Sequence, residues 1–182
     1  MGLFDKIFGK KHELAPEPDI QFGRYTDSHK STEQYDSWDI ALEKFEEKNY
    51  LESFSNFFDY LNDKKENNVT WSRENGTIDF EIFQGSKKII GKANDKEFRA
   101  TAKVVKTESL NIGFMRRLVE TNFDLKYSKF ALDDDDNIVI IFSTSSLDSS
   151  PYKLYFALKE LATNADKPVS YTHLTLPTIC SV

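Results

Sequence analysis

Apolar residues recur at helical spacing over residues 36–62. They fall into two stripes, the first being Trp38, Ala41, Leu42 and Phe45, and the second Leu51, Phe54, Phe57, Phe58 and Leu61. The stripes are out of phase across Lys48-Asn49-Tyr50 by about half a turn of an α-helix. A bent helix is the alternative, but the pattern favours two short helices broken at that point. Asp36 or Ser37 is expected to cap the first, because both side chains can accept a backbone N–H.

The spacing changes from helical to alternating over residues 69–106. Val69 and Trp71 alternate with polar residues, and so do the apolar positions of 78–82 and 98–104. Ile89-Ile90 is also expected to lie in a strand. Asn75-Gly76 is typical of a type I′ hairpin turn, since both residues tolerate positive φ. The segment therefore predicts an antiparallel meander of three strands with one buried face.

Helical spacing returns over residues 109–122, where Ser109 can serve as the N-cap. Two strands are predicted next, over 127–132 and 138–142, with an acidic turn between them. A last helix is expected to begin at Pro151, where the missing N–H of proline does no harm. The predicted fold class is α+β: an N-terminal helical segment, then an antiparallel sheet in the order β-β-β-α-β-β-α, with helices packed on one face.

The N-terminal residues 1–35 are expected to be a leader and flexible linker ahead of a single domain over 36–167. Residues 1–11 place four apolar side chains on one side of a short turn beside lysines. This pattern is typical of a weak membrane contact, or of a turn docked on a partner or on the chain's own core, which we favour. Pro16 and Pro18 lie in the linker that follows.

Residues 168–182 resemble the translation of a DNA sequencing adapter. We therefore expect this segment to be a non-native tail and exclude it from the fold; the alternative is a natural tail rich in threonine and leucine. The tail contains Cys180, the only cysteine of the chain, and no charged residue. The remaining chain is thus expected to have no disulfide and no thiolate metal site.

The formal net charge of −6 argues against a nucleic-acid partner, because phosphates favour clustered lysine and arginine. No run of about 18 apolar residues predicts a transmembrane helix, and the first residues do not form the apolar core of a secretory signal. These patterns predict a cytoplasmic protein.

No motif for catalysis, a cofactor or a metal is found. The only histidines outside the tail are His12 and His29, in the predicted leader, and no glycine-rich phosphate loop is present. The acidic run starting at Asp133 resembles a calcium loop, but Ile138 and Thr144 stand where an EF-hand requires glycine and glutamate. A solvated hairpin turn is the better interpretation, and we expect a non-catalytic protein without cofactor.

Three segments together resemble the YbjN family, whose members are similar to type III secretion chaperones of the Tir-chaperone type. They are a helix ending in asparagine over 114–122, the "YSKFALD" strand over 127–133, and the "NIVIIF" return strand over 137–142. The resemblance covers residues 70–165 well and 36–62 loosely.

The resemblance implies a type III secretion chaperone-like fold, and a chaperone-like module that holds a partner polypeptide on an exposed groove of sheet and helix. It also implies a possible homodimer, while the identity of the partner stays open. Large aromatic side chains are the candidate partner-binding residues: Trp38, Phe54, Phe58, Trp71 and Phe80. The alternative is a structural adaptor that docks partners through the helices of 36–62.

Overall fold

The computed structural model describes residues 30–63, 67–84, 87–106 and 112–166. Its helices are α1 (Thr32–Glu46), α2 (Tyr50–Leu61), α3 (Ile112–Asp124) and α4 (Pro151–Asp166). Its strands are β1 (Val69–Glu74), β2 (Thr77–Gln84), β3 (Lys87–Asn94), β4 (Glu97–Lys106), β5 (Lys129–Leu132) and β6 (Asn137–Ser145). The predicted α+β class is confirmed. No helix within these described ranges is long and apolar enough to cross a membrane.

Several sequence predictions lie outside the described residues, so the structure says nothing about them. They concern the amphipathic turn of 1–11, His12, His29, the Ser109 cap and the tail 168–182 with Cys180.

Helix α1 begins earlier than predicted. Its N-cap is Ser31, whose hydroxyl accepts a hydrogen bond from the backbone N–H of Gln34 at 3.3 Å. The Gln34 side chain accepts in return from the N–H of Ser31 at 3.0 Å, which completes a capping box. Asp36 and Ser37 are therefore interior helix positions, and the predicted linker overlaps the first helical turn.

The predicted break between α1 and α2 is confirmed. Lys48 adopts a left-handed conformation with φ of 61°, and the N–H of Asn49 returns to the carbonyl of Lys44 at 2.9 Å. The two helices pack against each other as a hairpin, and the Ser53 hydroxyl donates to the carbonyl of Ala41 at 2.8 Å in their interface. The break between two separate helices accounts for the shift between the two apolar stripes.

All six strands form one antiparallel sheet in the order β1-β2-β3-β4-β6-β5. The predicted count of three strands before α3 is wrong, because residues 69–106 form four. Strand β1 is the outermost of them and buries only Val69 fully. The predicted turn is confirmed, since Asn75 and Gly76 have φ of 50° and 76°.

One face of the sheet is covered by α2 and α4, as predicted. Phenylalanine rings fill the space between α2 and the sheet, with the Phe58 and Phe80 centroids 4.5 Å apart and those of Phe80 and Phe98 5.1 Å apart. Gly91 lies beneath the Phe80 ring, where a side chain would overlap it. Helix α2 is thus an integral part of the core and not an appendage to it.

Candidate functional site

The structure separates the five predicted partner-binding residues into two groups. Phe54, Phe58 and Phe80 are core residues, with exposed fractions of 0%, 0% and 2%. Their rings pack inside the aromatic core, and they present no surface to a partner. Trp38 and Trp71 are only partly buried, and they lie on different surfaces.

Trp38 lies on the helical layer, within a group of aromatic rings from α1, α2 and α4. Its ring centroid is 4.7 Å from that of Tyr60 and 5.0 Å from that of Tyr152. The outer members of the group stay accessible, since Tyr35 and Tyr152 are each 56% exposed. Aromatic side chains of this kind are enriched at protein interfaces.

Trp71 lies on β1, beside helix α2. Its indole N–H donates to the Asp59 carboxylate at 3.2 Å. Two residues further along β1, the Arg73 guanidinium pairs with Glu52 at 2.6 Å. Both contacts attach β1 to α2 from the side of the sheet that faces the helices.

The outer edge of β1 is open. The N–H of Phe83 donates to the carbonyl of Asn68 at 2.8 Å, so this pair is hydrogen-bonded across the β1–β2 ladder. Because bonded and non-bonded pairs alternate in an antiparallel ladder, the backbone groups of Val69, Trp71 and Arg73 point away from β2. No described residue pairs with them, and β1 is the terminal strand of the sheet.

The opposite edge of the sheet, at β5, is capped by side chains. The Asn122 amide of α3 donates to the carbonyl of Phe130 at 3.1 Å and accepts from its N–H at 2.6 Å. This one side chain therefore occupies both outward-pointing backbone groups of Phe130, in the middle of the β5 edge.

Glu160 of α4 covers the start of the same edge. Its carboxylate accepts from the backbone N–H groups of Lys126, Tyr127 and Ser128 and from the Ser128 hydroxyl, at 2.8–2.9 Å. Burial acts to raise the pKa of Glu160, but these hydrogen bonds outweigh it and hold the pKa below its ordinary value. The carboxylate is therefore charged at neutral pH and fixes the loop before β5.

The second face of the sheet has no helix over it within the described residues. Ion pairs between neighbouring positions cover it, with N–O separations of 2.8–3.8 Å. They are Lys88 with Glu81, Lys92 with Asp79, Arg99 with Glu97, and Lys103 with Asp133. Exposed pairs of this kind contribute little each, and they lie beside the exposed side chains of Phe83 and Ile90 on the same face.

Helix α3 has two apolar sides. Leu118 faces the core and is 8% exposed, whereas Ile112, Val119 and Phe123 point outward with exposed fractions of 79%, 66% and 93%. Spacings of seven and four residues place these three on one stripe. An exposed apolar stripe of this size is uncommon on a monomer and typically marks a contact surface.

The acidic run forms the β5–β6 turn, as the solvated-hairpin interpretation predicts. The Asp133 carboxylate accepts from the Asn137 side chain and from the N–H groups of Asn137 and Asp135, at 2.8–3.0 Å. These bonds, chiefly those from the Asn137 side chain, hold the pKa of Asp133 below its ordinary value. Within the described part of the chain, no group of three or more His, Cys, Asp or Glu side chains is placed to hold a metal ion.

The sequence patterns missed Asp59, Asn122 and Glu160. Asp59 and Glu160 are polar helix residues with no motif around them. Asn122 ends the helix of the YbjN-like segment, but the sequence assigns it no role at a sheet edge. The partners of these three residues are 12, 8 and 32 residues away in the chain, so only the folded arrangement brings them to the sheet edges. A usable signal existed for β1 alone, because the first strand of a meander lies at an edge unless another element pairs with it.

No protein-family model matches the sequence, and no curated protein matches it. The chain is similar to several solved structures at low identity. One is the Yersinia pestis type III secretion chaperone SycH in complex with a fragment of YscM2, with 16% identity, a TM-score of 0.43, and coverage of 70% of this chain and 96% of that one.

A second is the heterodimeric complex ExoU–SpcU from the type III secretion system of Pseudomonas aeruginosa. It has 10% identity and a TM-score of 0.40, covering 57% of this chain and 81% of that one. A third is the ExsC–ExsE complex, with 13% identity, a TM-score of 0.37, and coverage of 53% and 70%. These are distant structural similarities, and membership of the YbjN family stays a prediction.

Proposed function

We propose that this protein is a non-catalytic, chaperone-like module that binds an extended segment of a partner polypeptide by strand addition at β1. The observation that carries the proposal is the difference between the two edges of the sheet. At the β5 edge, Asn122 holds the outward backbone groups of Phe130 and Glu160 holds the N–H of Ser128. At the β1 edge, no described residue pairs with the backbone groups of Val69, Trp71 and Arg73.

An open edge strand attracts further strands, and proteins usually blunt it with side chains, proline or a covering element. Strand addition satisfies these backbone groups and gains specificity from the flanking side chains. Here the flanks are Trp71 with helix α2 on one side and the second face of the sheet on the other. The proposal is the one that the resemblance to YbjN proteins implies, restricted to a single edge.

A proline at position 73 tests the edge without disturbing the ladder. The N–H of Arg73 points outward, and proline is tolerated in an edge strand at such a position. Arg73→Pro removes one donor from the edge, while Arg73→Ala loses the same ion pair with Glu52 and keeps the donor. Both variants therefore lack the arginine side chain, and they differ in whether the backbone N–H at the edge is present.

Ten-residue peptides selected from a display library against the whole protein serve as probes, with affinities measured by fluorescence anisotropy. We expect Arg73→Pro to bind them about tenfold more weakly than Arg73→Ala, and bound peptide to slow amide exchange at Val69, Trp71 and Arg73. Equal affinities for the two variants, or protection elsewhere only, would refute strand addition at β1.

We also propose that two copies associate through the exposed stripe of α3. Burial of Val119 and Phe123 supplies the apolar area. Arg116 and Glu120 flank the stripe, so an antiparallel pair of α3 helices brings opposite charges together across a two-fold axis.

Light scattering on the whole protein tests the association. We expect a dimer for the unaltered chain and a monomer for Phe123→Asp, whereas Phe83→Asp, a matched change of an exposed residue on β2, leaves the dimer intact. A mass that is the same for the unaltered chain and for Phe123→Asp would contradict this proposal and leave strand addition untouched.

A second candidate function is an adaptor that docks partners through the aromatic surface around Trp38. It is favoured by the accessible rings of Tyr35 and Tyr152. Removing α1 and α2 is not a usable test, because α2 buries Phe54 and Phe58 in the core. A Tyr35→Lys, Tyr152→Lys double variant leaves the core intact. If this variant no longer binds the selected peptides while Arg73→Pro still does, the adaptor is favoured.

A further inference from the structure

We infer that the strand added at β1 carries a lysine or arginine opposite Trp71, held between the indole ring and the Asp59 carboxylate. The inference rests on the proposed strand addition and specifies the chemistry of the partner. It arises from the placement of two side chains beside the open edge, one aromatic and one anionic.

Trp71 lies at the middle of β1, and its backbone groups point toward the position of an added strand. Its side chain lies on the helix side of the sheet, where its N–H reaches Asp59 of α2 at 3.2 Å. The residue opposite Trp71 on an added strand has its β-carbon about 5 Å away on the same face. That residue therefore meets the indole ring first and Asp59 beyond it.

The Asp59 carboxylate has capacity for such a residue. It is exposed, and its described hydrogen bond is the single one from the indole of Trp71; a carboxylate can accept about four. No described lysine or arginine forms an ion pair with it. The nearby Glu52 differs in this respect, because Arg73 already neutralises it at 2.6 Å.

A long cationic side chain fits both neighbours at once. Its aliphatic stem can pack on apolar surface while its charged end stays near water. A cation close to an indole ring is also attracted by the electrons of the ring. An anionic residue at the same position would face Asp59 with like charge, and an apolar one would leave the carboxylate without a counter-ion.

Three synthetic nine-residue peptides of alternating threonine and valine, with one variable residue in place of the central threonine, provide the test. The variable residue is lysine in the first, glutamine in the second and glutamate in the third, so that the three share backbone pairing and the valine face. We expect the whole protein to bind the lysine peptide most tightly and the glutamate peptide least, with a difference that shrinks as salt is added.

Asp59→Asn isolates the charge, because asparagine can still accept the indole hydrogen bond. It should weaken the binding of the lysine peptide about three- to fivefold, the effect of a partly exposed ion pair. The affinity for the glutamine peptide should stay unchanged. Asp134→Asn, at the tip of the far hairpin, is the matched control and should change neither.

The outcomes separate the two proposals. If all three peptides bind equally, lose affinity in Arg73→Pro and ignore Asp59→Asn, strand addition stands and the cationic preference is wrong. If the peptides bind Arg73→Pro and Arg73→Ala equally, strand addition itself is wrong. A lysine preference that survives in Asp59→Asn overturns the role of Asp59.

Discussion

The ring of Phe80 on β2 lies against the backbone of Gly91 on β3, in the space that a β-carbon at residue 91 would occupy. An added carbon would overlap Cζ of Phe80 and also the carbonyl oxygen of Arg99 on β4. The ring can shift only toward Phe58 and Phe98, which pack around it. The absence of a side chain at Gly91 therefore sets how closely α2 approaches the sheet.

Gly91→Ala should destabilise the protein by about 3 kcal/mol, the upper range for overpacking a core. Urea unfolding followed by tryptophan fluorescence measures the loss. Gly76→Ala is the matched control, because nothing lies near its added carbon and only its φ of 76° is unfavourable. That control should cost about 1 kcal/mol, and equal losses in the two variants would show that Phe80 does not require the glycine.

Glu160→Gln should destabilise the protein at neutral pH, by about 1–2 kcal/mol because the carboxylate is partly hydrated. The pKa of Glu160 lies below its unfolded value, so the unfolded chain binds the proton first as pH falls. The stabilisation is therefore complete above the unfolded pKa of about 4.3 and is lost as pH falls through the folded pKa. We expect the difference between the two proteins to shrink in this acidic window when unfolding is measured from pH 7 down to pH 3.

Glu74→Gln is the control for that measurement, since Glu74 is an exposed carboxylate on β1. Its stability difference should stay small at every pH. A Glu160→Gln deficit that is independent of pH would mean that packing and not charge holds the loop before β5.

Lys30 should be unusually reactive toward acylating reagents near pH 8. Burial lowers its pKa to about 8, although Asp63 nearby acts to raise it; its amine also lies 5.1 Å from the centre of the Tyr60 ring. Competitive acetylation with mass spectrometry should give Lys30 an apparent pKa of about 8, well below the ordinary lysine value of about 10.4. An apparent pKa at the ordinary lysine value would contradict the prediction.

The same shift has a consequence for stability. Between about pH 8 and the ordinary lysine pKa of about 10.4, the folded chain has lost the Lys30 proton and the unfolded chain keeps it. Stability should therefore rise with pH across this window relative to Lys30→Met, and a fall would contradict the direction of the shift.

Asn122→Ala should open the β5 edge. Both backbone groups of Phe130 lose their partner, which costs about 1–2 kcal/mol. The amide of Phe130 should exchange measurably faster with deuterium. Asn164→Ala is the control, because the Asn164 amide bonds only within its own helix to the carbonyl of Glu160; unchanged exchange at Phe130 in Asn122→Ala would refute the role of this side chain.

Local patterns in the sequence predict much of this fold. The α+β class, the helix break at Lys48, the turn at Asn75-Gly76 and the solvated turn after Asp133 all depend on neighbours in the chain. The N-cap was misplaced because Asp36 looks as suitable as Ser31 until the reciprocal bond from Gln34 is known. The strand count is wrong by one, because the short apolar run at Ile89-Ile90 belongs to β3, a separate strand of eight residues.

The candidate site was harder to predict, because it depends on which strand ends the sheet and what covers it. Phe80 and Trp71 look alike in the sequence, as large aromatics in an alternating segment. Trp71 on β1 and Phe80 on β2 occupy directly opposite positions. Helix α2 encloses the ring of Phe80, whereas the ring of Trp71 reaches only the margin of the helix. The burial of each ring depends on how far α2 extends over the sheet, and no local sequence pattern encodes that distance.

The capped β5 edge also limits how copies of this chain can associate through backbone pairing. Two copies that pair β1 to β1 leave their β5 edges outside, where Phe130 and the N–H of Ser128 already have side-chain partners. Asn122 and Glu160 thereby hinder the growth of a continuous sheet from one copy of the chain to the next.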